Sequence, residues 1–274
     1  MNEEISYLFV PANKEVMFSK ALSCGADAII IDLEDAVHPN EKSLGRDNIL
    51  SCLYKLKKNI VKTGIYIRIN HPKESEFEDD ISLLNLLDET LIKGVMVPKL
   101  ECIETITQIK SKLNPGISRL PFLGIIETAR GVHHCDIIAS SGVARLAFGS
   151  LDYSLDINCL QTPEALLYAR SRIVIASRLA NLLPPIDCVT PDFCTTETLL
   201  MDSCHARSLG FSAKLCIHPD QIDVVTKAFS PTEEQIKWAK EVLAQSIDSY
   251  TFQIDGSMVD LPLIKKAARL MDSK

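Results

Sequence analysis

An alternation restricts the fold of this chain more than any other feature. Eight short apolar runs, at 7–10, 28–33, 65–69, 94–98, 122–126, 145–148, 186–189 and 214–217, are each followed by a stretch suited to a helix. Near-continuous apolar runs of this length are the pattern of parallel strands covered on both faces. The stretches between them predict helices over 13–24, 41–58, 78–91, 102–113, 131–140 and 163–182, and another from the seventh run to about 208. Asn13 reads as the cap of the first helix and Gly25 as its stop. Three more helices are predicted at 219–229, 232–247 and 260–271. Eight strand–helix units with helices left over predict an α/β fold, a (β/α)8 TIM barrel with extra C-terminal helices. A doubly wound open sheet is the alternative. It usually carries a Gly-x-Gly-x-x-Gly turn after a strand, and this sequence has none. The expected division is a barrel domain over 1–230 and a C-terminal helical extension over 231–274. With 46% of its 274 residues hydrophobic, the chain can fill a core of that size.

Polar clusters follow the runs with regularity: Glu34-Asp35, Arg68-Asn70, Lys99-Glu101, Glu127, Asp152 and His218. In a barrel, all of them lie at the C-terminal ends of strands, where chemistry is done. That coincidence points to an enzyme. Glu127 and Asp152 come from two successive strands, which sets two carboxylates side by side. A hard divalent cation relieves their repulsion, and Mg²⁺ typically takes one or two carboxylates and keeps its other positions for water and substrate. The plainer alternative makes Glu127 a helix cap and Asp152 a turn residue.

Arg68 ends an apolar run and suits two-pronged binding of a substrate carboxylate, with a salt bridge to Glu34 or Asp35 as the structural alternative. Glu34 and Asp35 are adjacent and point apart, one towards metal-bound water and the other towards Lys42 or Arg46; a purely structural charge network fits equally. Lys99 is expected to pair with Glu127 or Glu34. His133 and His134 are neighbours in a predicted helix and face different ways, so they make no zinc pair. His218, before Pro219, reads as a positioning residue. Asp260 reads locally as the cap of the last helix. Neither a Gly-x-Ser-x-Gly elbow nor a Gly-x-x-x-x-Gly-Lys phosphate loop is present.

A net charge of −7 argues against a nucleic-acid partner. No run is long enough to span a membrane, and no secretory signal is recognisable. The nine cysteines form no Cys-x-x-Cys pair, and several lie in apolar runs. They predict reduced, buried thiols and a cytoplasmic protein, although a soluble organelle protein has the same composition.

A series of motifs then gives a resemblance. It comprises Ser-Tyr-Leu-Phe-Val-Pro at 6–11, Gly-Ala-Asp-Ala-Ile-Ile-Ile-Asp-Leu-Glu-Asp-Ala-Val at 25–37, Ile-Arg-Ile-Asn at 67–70 and Val-Pro-Lys-Leu-Glu at 97–101. It continues with Ile-Glu-Thr-Ala-Arg-Gly-Val at 126–132, Phe-Gly-Ser-Leu-Asp-Tyr at 148–153, Ile-His-Pro-Asp-Gln-Ile at 217–222 and Asp-Gly-Ser-Met-Val-Asp-Leu-Pro at 255–262. In this order, and over nearly the whole chain, the series resembles the citrate lyase β-subunit-like (CitE-like) proteins of the HpcH/HpaI aldolase superfamily.

The resemblance implies a homotrimeric (β/α)8 barrel with Mg²⁺ on Glu127 and Asp152 and a 2-oxo acid carboxylate on Arg68. It implies that Asp260 sits in a C-terminal segment covering a neighbouring subunit's site and acts there as acid/base, with a metal-bound water as the competing base. The implied reaction is cleavage of a 3-hydroxyacyl-CoA thioester, of citramalyl-CoA or malyl-CoA type, to acetyl-CoA and pyruvate or glyoxylate. Three other readings stay open: a citrate lyase β subunit acting on citryl-acyl carrier protein, a non-catalytic acyl-CoA-binding homologue, and a CoA-independent aldolase. Two departures bear on the acyl carrier. Ile5 stands where the family usually has arginine, leaving Lys14 or Lys20 to replace any contact it makes, and residues 190–198 lack the family's usual acidic run.

Overall fold

The computed structural model describes residues 4–56, 62–247 and 249–272. Two compact units make up the chain, Glu4–Val225 and Thr226–Lys274.

In the first unit eight parallel strands close into a barrel in sequence order: β1 (Ser6–Pro11), β2 (Ala28–Asp32), β3 (Gly64–Arg68), β4 (Gly94–Val97), β5 (Phe122–Ile126), β6 (Arg145–Phe148), β7 (Ile186–Asp187) and β8 (Ala213–Cys216). Closure is made by β1 on β8, with Ser6 opposite Lys214. Alternate residues of the strands fill the interior, among them Tyr7, Ile30, Tyr66, Met96, Leu123 and Leu215, as the two-residue period of a strand requires. Their neighbours Ile29 and Ile31 are equally buried, which is why the runs read as continuous.

Around the barrel run α1 (Glu15–Ser23), α2 (Lys42–Lys55), α3 (Phe77–Leu86), α4 (Ile103–Lys112), α5 (Pro115–Ser118), α6 (Ala129–His133), α7 (Cys135–Ala139), α8 (Ser150–Ile157), α9 (Pro163–Leu179) and α10 (Thr196–Leu209). The single helix expected over 131–140 is two, α6 and α7, broken at His134, whose Nδ1 lies 3.2 Å from the Glu101 carbonyl. The helix expected directly after the seventh strand starts only at Thr196, because Asp192 Oδ1 accepts from the Cys194 and Thr195 amides and holds a turn. Asn13 does not cap α1. Its Nδ2 donates to Glu41 at 2.8 Å, and Lys14 occupies the cap position without a side-chain bond. The expected end of α2 at Lys58 falls outside the described residues.

A polar plug closes the N-terminal end of the barrel. The Tyr7 and Tyr66 hydroxyls donate to Glu4 Oε2 at 2.8 and 2.9 Å, and Lys93 Nζ donates to Glu4 Oε1 at 2.6 Å. Arg145, buried at the start of β6, donates to the carbonyls of Glu4 and Pro184, to the Tyr7 hydroxyl and to Ser212 Oγ. Four of its five N–H donors thus find protein acceptors, and each of its three nitrogens has at least one, as a buried guanidinium requires. Ile5 belongs to this end, with its amide on Asp27 Oδ2 at 3.0 Å and its carbonyl accepting from Lys214 N at 2.8 Å. Its position faces away from the strand ends that carry the polar clusters.

The nine cysteines are all free, but the expectation that they are buried holds only for Cys135, Cys188 and Cys216; Cys102, Cys194 and Cys204 are exposed. No helix among the described residues is long and apolar enough to cross a membrane.

After α11 (Ile222–Phe229), the second unit contains α12 (Glu233–Gln245), a hairpin of β9 (Phe252–Ile254) and β10 (Ser257–Val259), and α13 (Leu261–Asp272). Thr232 and Gln235 form a reciprocal capping box at the start of α12. The hairpin turns on Asp255 and Gly256, both at positive φ (48° and 78°), the demand of a two-residue turn that keeps the strand twist. Ala239, Val242, Ile254, Val259, Ile264 and Ala267 form this unit's core.

Candidate functional site

The C-terminal ends of β2 to β6 bring Glu34, Asp35, Arg68, Lys99, Glu127 and Asp152 into one charged cluster. Its base is the pairing of β2 with β3, which sets Asp32 opposite Arg68. Arg68 Nε and Nη2 donate to the two Asp32 oxygens at 2.6 Å each, a bidentate pair that is almost wholly buried. Burial alone would lower the arginine's pKa, but the Asp32 pair and Glu34 outweigh it and raise it. Phe9 lies under the guanidinium at 4.7 Å. The main partner of Arg68 is therefore Asp32, not the Glu34 or Asp35 considered from sequence. Glu34 Oε2 comes next at 2.8 Å from Nη1, and Asp35 follows at 3.8 Å.

Neither Glu34 nor Asp35 pairs with Lys42 or Arg46; both face Arg68 and Lys99. Lys42 donates to Asn70, while Arg46 pairs with Glu76, Asp79 and Asp80. Asp80 in turn accepts from the Asn70 amide at 2.8 Å and from Asn70 Nδ2 at 2.6 Å, and the same Nδ2 donates to the Leu33 carbonyl at 3.1 Å. This network ties the loop after β2 to the loop after β3. Glu34 Oε1 accepts from Lys99 Nζ. Its Oε2 makes the ion contact to Arg68 without a hydrogen bond directed at it. Burial, with the neighbouring Asp35 charge, pushes the Glu34 carboxyl up to about 7 despite its cationic partners.

Glu127 closes β5 and is 2% exposed. Its Oε1 accepts from the Lys99 amide at 2.6 Å. Thr128 caps α6 by accepting from the Gly131 amide, so the capping role considered for Glu127 belongs to Thr128. Asp152 lies in the first turn of α8, which begins directly after Gly149. Gly149 is required by Glu127: a Cβ there would overlap Glu127 Oε2 and stand 2.6 Å from Glu127 Cβ. Burial first, then the charges of Glu34 and Asp152, push the Glu127 carboxyl up to about 8. Of the two partners considered for Lys99, Glu34 takes its ammonium group, while Glu127 is met only by its backbone amide.

A divalent cation fits these residues. Five carboxylates, Asp32, Glu34, Asp35, Glu127 and Asp152, face two cations, Arg68 and Lys99. Asp32 and Glu34 take the salt bridges of those cations, so among the described residues Glu127 and Asp152 are in none, although the Arg68 charge still reaches Glu127. Among the described residues no three acidic, histidine or cysteine side chains form a closed metal cage. Two carboxylates with open positions suit Mg²⁺, which keeps waters and substrate oxygens.

The model of the HpcH/HpaI aldolase/citrate lyase family matches residues 6–219. The chain belongs to this family. A citrate lyase subunit beta-like protein of Deinococcus radiodurans is 34% identical, over 97% of this chain and 95% of its own length. The human mitochondrial citramalyl-CoA lyase is 32% identical, over 95% of this chain and 82% of its own. Among solved structures, Mycobacterium tuberculosis CitE in complex with magnesium, acetoacetate and coenzyme A superposes with a TM-score of 0.85, at 26% identity, covering 98% of this chain and 97% of that one.

Three further groups in this family member lie outside the sequence expectations. Asp187, Lys214 and Arg170 form a buried ion cluster where β7 meets β8. Lys214 Nζ bonds Asp187 Oδ2 at 2.9 Å and the Cys188 carbonyl at 2.8 Å, and Arg170 Nε bonds Asp187 Oδ1 at 2.9 Å. Burial opposes ionisation of Asp187, but Lys214 and Arg170 outweigh it and hold its carboxyl below the usual range. The signal was present: a charge inside each of two apolar runs. His218 caps a 3-10 turn and stacks on Phe193 at 4.9 Å. His133 and His134 take no part in the cluster. Asp260 belongs to the other unit, between β10 and α13, where its carbonyl accepts from Ile264 N.

Proposed function

We propose that this protein is a Mg²⁺-dependent carbon–carbon lyase that cleaves a 3-hydroxyacyl-CoA thioester, of citramalyl-CoA or malyl-CoA type, to acetyl-CoA and a 2-oxo acid. The observation that carries the reading is the pair Glu127 and Asp152, in which the Asp152 charge raises the proton affinity of Glu127 beside Arg68 while that arginine makes its ion pairs with Asp32 and Glu34. The human citramalyl-CoA lyase and the CitE structure with magnesium, acetoacetate and coenzyme A support it from outside the chain.

Glu127 and Asp152 would hold the ion, which supplies Lewis acidity to the substrate's carboxylate and hydroxyl oxygens. Arg68 contributes orientation. Asp32 fixes its guanidinium plane, so a substrate carboxylate meets the Nη1 edge in one pose and exchanges for the looser Glu34 and Asp35 contacts. Asp260, supplied by a neighbouring copy in a homotrimer, takes the hydroxyl proton. The bond between the carbinol carbon and the thioester's α-carbon then breaks. Its electron pair leaves as the thioester enolate, the carbinol carbon becomes the ketone or aldehyde of the 2-oxo acid, and a proton returned to the enolate completes acetyl-CoA.

Ile5, at the N-terminal end of the barrel, lies away from this chemistry, so its departure from the family's arginine does not count against a CoA substrate. A second reading, a β subunit acting on citryl-acyl carrier protein, draws on the name of the Deinococcus radiodurans relative. The test measures acetyl-CoA and 2-oxo acid release from citramalyl-CoA and malyl-CoA, with Mg²⁺ and with EDTA. Cleavage that EDTA abolishes is expected, and the rate ratio identifies the acyl chain. No cleavage of either by folded protein refutes the CoA reading and favours the carrier-protein substrate.

A further inference from the structure

Four non-glycine residues among those described have positive φ: Lys99, Asn158, Asn181 and Asp255. Asn and Asp tolerate the left-handed region because their short side chains bond locally, whereas lysine has no such compensation. Strain of this kind persists only where the surroundings hold it. Here they do. Leu100, fully buried, donates its amide to the Ile125 carbonyl at 3.0 Å. Two glycines make room for it: a Cβ on Gly124 would stand 2.5 Å from Leu100 Cδ2, and one on Gly131 would stand 2.9 Å from the Leu100 carbonyl oxygen. Glu101 is held through Thr128 Oγ1 at 3.0 Å and His134 Nδ1 at 3.2 Å. The segment after β4 is thus clamped against β5 and α6, and Lys99 takes φ 47° within it.

That conformation turns the Lys99 amide onto Glu127 Oε1 at 2.6 Å. On the opposite side Gly149 leaves space for Glu127 Oε2. We propose that Lys99 is a positioning residue whose left-handed backbone holds Glu127 Oε1 and leaves Oε2 as the one oxygen offered to the divalent cation. Its ammonium group has a separate task, the bond to Glu34. The inference rests on the metal reading above, and its test separates the two.

Mg²⁺ affinity is measured by calorimetric titration of the full chain carrying Lys99→Gly, Lys99→Ala or Lys99→Val, with folding checked by circular dichroism. All three lack the ammonium group, and along the series tolerance of positive φ falls as the side chain grows. The glycine variant is expected to bind Mg²⁺ within about threefold of the unsubstituted protein. The valine variant, whose loop relaxes in the metal-free state, is expected to bind about tenfold more weakly than the glycine variant, with alanine between. If the valine variant fails to fold, the glycine and alanine variants still make the comparison. Equal affinities across the folded variants overturn the positioning role. Glu127→Gln is the control: lost affinity there with equal affinities at Lys99 refutes this inference alone, and unchanged affinity refutes the metal reading and this inference with it.

Discussion

Asp32 and Arg68 stand opposite each other on β2 and β3 and join through two 2.6 Å hydrogen bonds buried at the end of the barrel. Asp32 also accepts from the Glu34 and Ala36 amides, so one carboxylate fixes both the arginine and the loop that carries Glu34. Asp32→Asn removes the charge and one acceptor while keeping the shape. Breaking one side of a buried pair costs about 3–5 kcal/mol. Thermal melts should show a folded but destabilised protein, and kcat/KM should fall by about two orders of magnitude as Arg68 loses its orientation.

Gly149→Ala places a methyl group against Glu127. Overpacking of this kind costs about 1–3 kcal/mol. The larger effect is expected in Mg²⁺ titration, because the Glu127 side chain must give way. Affinity retained at the unsubstituted level would show that Glu127 is not a ligand in its present rotamer.

The raised Glu127 and Glu34 carboxyls make two linked pH predictions. Glu127 rises from its ordinary 4.5 to about 8 and Glu34 from 4.5 to about 7, so both are protonated in the metal-free protein at slightly acidic pH. A carboxyl raised on folding favours the folded state below its unfolded pKa, and that contribution is lost as pH rises through its folded pKa. Metal-free protein should therefore be less stable at pH 9 than at pH 6 in urea titrations. With Glu127 as the proposed Mg²⁺ ligand, binding requires it ionised, so the apparent affinity should rise about tenfold per pH unit up to about 8 and then level, with proton release visible in calorimetry.

Lys214→Ala tests the buried cluster at β7 and β8. It leaves Asp187 with Arg170 alone in a site with no access to water. A loss of about 3 kcal/mol or more is expected in chemical denaturation. In the unsubstituted protein Asp187 is held below its usual range, so its contribution is present at neutral pH and lost as pH falls through its folded pKa.

Asp260→Asn should abolish turnover while leaving Mg²⁺ titration and the thermal melt unchanged. Mixing this variant with Glu127→Gln tests whether the acid/base comes from a neighbouring chain. Mixed oligomers should regain part of the activity that neither variant has alone. No recovery, with subunit exchange demonstrated, would place Asp260 in its own chain's reaction or in none.

The barrel was legible because its physics is local and periodic. Residues 122–126 and 145–148 read as strands and are strands to the residue, since burial on both faces leaves an apolar run, interrupted only by Arg145 at the start of the second. The Asp255-Gly256 pair is a legible turn signal between the helices expected at 232–247 and 260–271, where no strand is expected from the sequence. Asn13 fits a cap by residue type, but Glu41, distant in sequence, takes its side chain.

The site divides in the same way. Sequence alone determined that Glu34, Arg68, Lys99, Glu127 and Asp152 share one end of the barrel, because the strand period and the direction of parallel strands carry that information. Partner choice needed the tertiary structure. Strand register set Asp32 rather than Glu34 or Asp35 against the arginine fork, and the clamped loop at Leu100 gave the Lys99 amide to Glu127. Hydrogen bonds act over about 3 Å and depend on direction, so they are decided by how strands pair and loops pack, which the order of residues along one strand does not state.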